Sequence, residues 1–185
     1  MTSRFQLRQA ARCIHHGGII AYPTESVFGL GCDPLDELAV TEILLLKQRP
    51  VEKGLILIAS HIAQLLPFVD INNKQLEKLN SITPAPTTWL TPASSLAPDW
   101  ITGKHQKIAV RITQHPIAKK LCQQTGHPLV STSANVTGKK PAKTLLKTKF
   151  YFSDMVDYYV PGSIQGFANP SQIRDLDTDE IIRAS

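Results

Sequence analysis

The stretch Leu55-Ile-Leu-Ile-Ala59 constrains the fold of this chain more than any other. Five apolar residues stand in a row between Gly54 and Ser60. The run is too short for an amphipathic helix, and it has no polar side to turn to water. It reads as a strand covered on both faces, inside a sheet with helices above and below it. The flanking sequence supplies those helices. Leu7, Ala10, Ala11 and Ile14 fall at helical spacing, and Gly17-Gly18 can end that helix. Asp36 can cap a second helix running to about Lys47, with Leu38, Ala39, Ile43 and Leu46 expected to point inward and Pro50 to stop it. Ser60 is placed to cap a short helix after the apolar run. Residues 72–80 read as another helix, and 115–126 as one with proline near its start and glycine at its end. Residues 19–22, 107–112, 128–130, 156–160 and 180–183 read as further strands. In 107–112, Ile108, Val110 and Ile112 alternate with Ala109 and Arg111. Residues 83–98 hold four prolines and read as the least regular part. Helices and strands interleave throughout, so the expected class is α/β, with a largely covered sheet in one domain over residues 1–185.

Composition narrows the function classes. With 42% hydrophobic and 19% charged residues the chain is globular, not disordered. No stretch approaches ~18 consecutive apolar residues, so no membrane span is expected. The first residues lack an apolar signal-peptide core, and the expected location is the cytoplasm. Three cysteines without a C-x-x-C pair, and six histidines without an H-E-x-x-H pair, give no reason to expect a metal site built by the protein alone. The formal net charge of +5 favours anionic partners such as nucleotides or RNA. Lys139, Lys140, Lys143, Lys147 and Lys149 stand in one run without an acid, either as a solvated surface or as an anion-facing one.

In open α/β sheets, ligands bind in the crevice beyond the carboxyl ends of strands. Three stretches fit that position: Pro23-Thr24-Glu25-Ser26, Ser131-Thr132-Ser133-Ala134-Asn135, and the segment from Lys47 to Gly54. Short hydroxyls and an amide directly after a strand can donate to phosphate oxygens, although ordinary turns use the same residues. Lys47 and Arg49 at a helix end are either dipole-matched cations or a phosphate clamp, with arginine giving a planar fork and lysine a point charge. Thr24 and Glu25 fit a polar turn fixed by Pro23, and Ser171 sits in a loop, Asn169 to Asp175, that reads as a solvated turn. There is no Walker A motif, no dinucleotide fingerprint and no G-x-S-x-G elbow.

The order AYPTESVFGLG, LKQRPVEKGLILIA, AVRITQHP, PLVSTSANVTGKKP, NPSQIRD resembles the YrdC-type threonylcarbamoyl-AMP synthase family, in its short bacterial single-domain form. The diagnostic pattern is Lys-x-Arg followed much later by Ser-x-Asn, here Lys47 and Arg49, then Ser133 and Asn135. The resemblance implies a twisted mixed sheet flanked by helices, with a basic concave surface. It implies a nucleotidyltransferase that joins L-threonine, bicarbonate and ATP, with Mg²⁺ on the nucleotide, into threonylcarbamoyl-adenylate and pyrophosphate for tRNA modification. The tRNA would be met directly or through a downstream threonylcarbamoyl transferase complex. By the same resemblance Lys47, Arg49, Ser133 and Asn135 are the catalytic set. Lys47, Arg49, Lys53, Thr88, Ser131, Ser133 and Asn135 face ATP, and Thr24, Arg111 and Ser171 hold threonine. The chain departs from the family's Trp-Pro-Gly-Pro-x-Thr stretch, with Thr83 for the aromatic and Ala85 for the glycine, while Thr88 keeps the final hydroxyl. The competing reading is a non-catalytic protein that holds tRNA or double-stranded RNA in the same basic concavity. Binding of RNA alone needs charge, not this particular residue set. A serine hydrolase lacks any motif.

Overall fold

Helix α1 (Arg4–His15) starts on a capping box, in which the Ser3 hydroxyl accepts from the Gln6 N–H and the Gln6 side chain accepts from the Ser3 N–H. The structure is a computed structural model describing residues 2–81, 83, 85–167 and 169–184. Pro84 of the altered 83–88 stretch and Ala168 of the loop before Ser171 therefore lie outside the described residues. After α1 come β1 (Ile20–Pro23), β2 (Phe28–Gly31), α2 (Glu37–Lys47) and β3 (Ile56–Ala59). They are followed by α3 (Asn73–Asn80), β4 (Thr87–Pro92), the one-turn α4 (Asp99–Thr102), β5 (Lys107–Ile112), α5 (Pro116–Thr125) and β6 (Leu129–Ser133). The last elements are α6 (Leu145–Phe152), β7 (Tyr158–Tyr159), β8 (Gln172–Asp175) and β9 (Ile181–Arg183). Asp36 and Asn72 cap α2 and α3 through their side chains, and Gly126 ends α5 in the left-handed region.

Among the described residues the strands form one mixed sheet in the order β7-β1-β2-β6-β3-β5-β4-β8-β9. The apolar run that dominates the sequence, β3, lies at its centre, antiparallel to β6 and parallel to β5. Registers set the two faces. Leu30, Val130, Leu57, Val110 and Trp89 share the face that packs on Ala39, Val40, Ile43 and Leu44 of α2, Leu79 of α3, Ile101 of α4 and Phe152 of α6. On the other face Ile20, Tyr22, Ile58 and Leu129 pack on Leu7, Ala10 and Ile14 of α1 and on Ala118, Leu121 and Cys122 of α5. Those two helices cover only part of that face. Ser131, Ile56, Ala109 and Leu90, which continue it toward β8 and β9, belong to neither apolar cluster at full burial.

Several elements differ from expectation. Leu38 is 82% exposed, because α2 buries the stripe Ala39, Val40, Ile43, Leu44 and Lys47 instead. β6 does not stop at Val130 but runs on through Ser131, Thr132 and Ser133, which pair with Gly29, Leu30 and Ile56. β2 pairs with β1 as a hairpin, so Thr24 to Val27 form its turn. β4 runs through the proline-rich stretch. Ser60 caps no helix; its hydroxyl bonds the Gln64 and His61 side chains ahead of a single 3-10 turn, Ile62–Gln64.

Candidate active site

The uncovered part of the sheet face carries a hollow of about 270 Å³. It lies on the face of the strands, not beyond their carboxyl ends. Thr24 and Ser26 enter from the β1–β2 turn, Gly29 from β2, Arg111 from β5, Ser131 and Ser133 from β6, Arg49 from the segment after α2, Ser171 from the start of β8, and Arg183 from β9. The β6 residues reach it because Ser131 and Ser133 alternate onto the same face, beside Gly29, whose missing side chain leaves the space open. A second cleft of about 570 Å³ shares Arg49, Leu55, Ile56 and Arg183 with the first. Leu90, Ala109 and Ile173 give it an apolar floor, and Lys53, Lys104 and Lys107 a cationic rim.

Three arginines from distant parts of the chain set the electrostatics. Arg49 donates to the Gly54 carbonyl at 2.9 Å and keeps its buried Nε without a partner. Arg183 donates to the Ser171 carbonyl at 2.7 Å. Burial first, and repulsion from Arg183 second, holds the Arg49 guanidinium below its usual range; burial and then Arg111 do the same to Arg183. A buried carboxylate, Glu25, 2% exposed, stands against Arg111. Its Oε1 accepts from the Thr113 hydroxyl at 2.7 Å and the Gln114 N–H at 3.1 Å, and its Oε2 lies 3.5 Å from Arg111 Nη2. Burial alone raises this carboxyl, but Arg111 and the two hydrogen bonds outweigh it and hold it below the usual range.

Of the residues expected from sequence, Thr24, Arg49, Arg111, Ser131, Ser133 and Ser171 line the first hollow, and Lys53 lines the adjoining cleft. Lys47, Thr88 and Asn135 line neither. The Lys47 ammonium donates to the Ser133 and Asn135 carbonyls, the Thr88 hydroxyl is paired with that of Ser171 at 2.9 Å, and the Asn135 amide is spent inside its own turn. Asn135 Oδ1 accepts the Ser133 hydroxyl proton at 2.6 Å, so in this arrangement Ser133 offers the hollow an acceptor. Arg183 is a site residue that the sequence reading missed; Ser26 lies in the Pro23–Ser26 stretch expected to face a ligand but has no role of its own there, and Glu25, read as part of a polar turn, is a buried ion-pair partner of Arg111. No local motif surrounds Arg183; its position follows only from the pairing of β9 with β8, which sets Ile173 opposite it.

A mixed α/β sheet thus carries an arginine-lined hollow beside an apolar cleft with a cationic rim, an arrangement whose charge suits an anion. A family model covering Sua5, YciO and YrdC and described as telomere recombination matches residues 12–185. The threonylcarbamoyl-AMP synthase of Pseudomonas paraeruginosa is 50% identical over 184 residues, covering 99% of each chain. P. abyssi Sua5, solved in complex with L-threonine, superposes with a TM-score of 0.88 at 32% identity over 95% of this chain, which spans 52% of that one. E. coli YciO gives a TM-score of 0.81 at 25% identity, over 98% of this chain and 89% of the other. The chain belongs to the Sua5/YciO/YrdC family.

Proposed function

We propose that this protein is a threonylcarbamoyl-AMP synthase, a nucleotidyltransferase acting in the cytoplasm as one unit over residues 1–185. The observation that carries the reading is the convergence of Arg49, Arg111 and Arg183 with Thr24, Ser131 and Ser171 on one hollow. The relative that matches over its whole length and the threonine-bound Sua5 support the substrate class. Arg111, with Thr24, Ser131 and Ser171, takes the threonine carboxylate. Arg49, Arg183 and Lys53 take the triphosphate of ATP, with the adenosine over Leu90, Ala109 and Ile173. Among the described residues no group of three acidic, histidine or cysteine side chains is placed to hold a metal ion. Mg²⁺ in this reading arrives as the counter-ion of ATP.

The threonine amine and bicarbonate form a carbamate and water. A carbamate oxygen then attacks the α-phosphorus, the bond from that phosphorus to the bridging oxygen breaks, and pyrophosphate leaves. The carbamate is already an anion and needs no strong base. The barrier is the approach of anions, which fixed guanidinium groups in a partly desolvated hollow lower. A long RNA duplex needs exposed cations along its backbone, whereas Arg111 is buried, Arg49 is half-buried and all three arginines converge with hydroxyls on one small hollow, so the enzyme reading takes precedence over a purely RNA-binding one. The product then passes to a transferase that modifies tRNA. The test is an omission assay with ATP, Mg²⁺, threonine and bicarbonate, reading the adenylate by mass spectrometry. Pyrophosphate release is expected only with threonine and bicarbonate together; equal release from ATP alone defeats the proposal.

A further inference from the structure

The two cations of the Lys-x-Arg pair do different things. Arg49 faces the hollow. Lys47, the last residue of α2, is 3% exposed and points under the turn that follows β6. Its ammonium donates to the carbonyl of Ser133 and, at 2.8 Å, to that of Asn135. Its own backbone carbonyl accepts from the Thr137 N–H at 2.8 Å. One residue therefore grips the turn at three points: before, at and after Asn135. Asn135 closes the turn from inside, its amide donating to the Val136 and Lys139 carbonyls and accepting from the Ser133 hydroxyl. The Ala134 N–H donates to the Phe28 carbonyl and ties the turn to β2.

The ion pairs among the described residues do not include Lys47. Peptide carbonyls take the place of water around the ammonium, and the charged group that bears on it is Arg49, of its own sign. Burial first, and Arg49 second, brings its pKa down to about 8. With two of its three N–H bonds committed to backbone and almost no exposure, the ammonium has little left to offer a phosphate. Its removal instead leaves the Asn135 carbonyl without its donor and the Ser133 carbonyl with the Asn135 N–H alone.

We propose that Lys47 is a positioning residue: it pins the Ser133–Thr137 turn so that Ser133 faces the hollow, and it does not contact the nucleotide. The proposal rests on the nucleotide reading of the hollow, and the test separates the two. In the wild-type protein, inorganic pyrophosphate should move the side-chain nitrogen resonances of Arg49 and Arg183 and leave the Lys47 Nζ resonance in place. Lys47→Met should keep the dissociation constant for pyrophosphate within about threefold, while amide exchange of residues 133–139 speeds at least roughly tenfold because the turn has lost its donors. Lys47→Gln, which keeps an N–H donor without the charge, should restore part of that protection. Synthesis of the adenylate should fall at least about tenfold in Lys47→Met, but less than about threefold further when Ser133→Ala is already present, since residues acting through one another are not additive. Movement of the Lys47 resonance with pyrophosphate, or a tenfold loss of pyrophosphate affinity in both variants, overturns the proposal. A wild-type protein that shows the resonance and exchange pattern but makes no adenylate removes the enzyme reading and leaves the pin standing.

Discussion

Arg49 spends one edge of its guanidinium on the Gly54 carbonyl and turns the rest toward the hollow it shares with Arg183. A planar fork can do both at once, and an ammonium cannot. Arg49→Lys should therefore cost about 2–4 kcal/mol of transition-state stabilisation, the scale of a removed oxyanion donor. Near wild-type turnover in a steady-state assay would reduce Arg49 to a helix-end cation. The neighbouring Lys47 permits a test by pH. Its pKa falls from 10.5 to about 8 in the folded chain. Between those values the unfolded chain holds more protons than the folded one, so this group adds stability as pH rises through that window. The melting temperature of the wild type minus that of Lys47→Met should grow by roughly 5 °C from pH 8 to pH 10. A flat difference would show an ammonium that water still reaches. At this scale the sequence was legible where residues stand close together. Thr24, Ser131 and Ser133 sit in short polar runs beside apolar ones, and all line the hollow. Arg183 was not, because a cation far from the other motifs, in an exposed three-residue strand, carries no local sign of the sheet pairing that delivers it.

The elements that position the site were partly hidden by their own packing. β2 contains Gly29 and Gly31, which leaves only Phe28 and Leu30 to signal a strand. Both glycines are needed, for different reasons. A Cβ on Gly31 would stand 2.4 Å from the Val130 carbonyl and 2.8 Å from the Tyr22 ring, with no room to move because both are buried. A Cβ on Gly29 would meet nothing nearer than 3.4 Å and would point into the hollow. Gly31→Ala should thus lose about 1–3 kcal/mol in urea unfolding, as overpacked core sites do, and Gly29→Ala less than about 1 kcal/mol. Equal losses would place the β1–β2 hairpin differently against β6. β4 is hidden for the opposite reason: the prolines around it suggest a loop, yet the one within it, Pro92, is its last residue, where a missing N–H is tolerated. β3, with no polar residue and no glycine in it, was readable outright.

Over the whole molecule, two groups of positive charge stand out. Arg49, Arg111 and Arg183 converge on the hollow, Arg111 buried, Arg49 half-buried and Arg183 at the exposed edge, bonded to carbonyls or to Glu25. Lys139, Lys140, Lys143, Lys147 and Lys149 are exposed along the turn and α6. Lys147 lies 4.6 Å over the Phe150 ring and 4.5 Å over that of Tyr151, and Lys149 lies 5.4 Å over Tyr159. Exposed lysines beside aromatic faces suit a polyanion in solvent, and converging arginines suit one small anion held in place. The sequence already sets the lysine run apart from Arg49 and Arg111; what it does not show is Arg183 joining those two arginines, since that depends on the pairing of β9 with β8. The separation predicts independent effects. Changing Lys143, Lys147 and Lys149 together to Gln should weaken any retention of tRNA at low salt and flatten its salt dependence, because each lysine acts through phosphate charge. It should leave adenylate synthesis within about threefold, as surface substitutions rarely disturb a fold by more than ~0.5 kcal/mol. Both are measured on one preparation, with circular dichroism to confirm the fold. Collapse of synthesis in a folded triple variant would mean that α6 belongs to the catalytic hollow and that the two populations of charge serve one site.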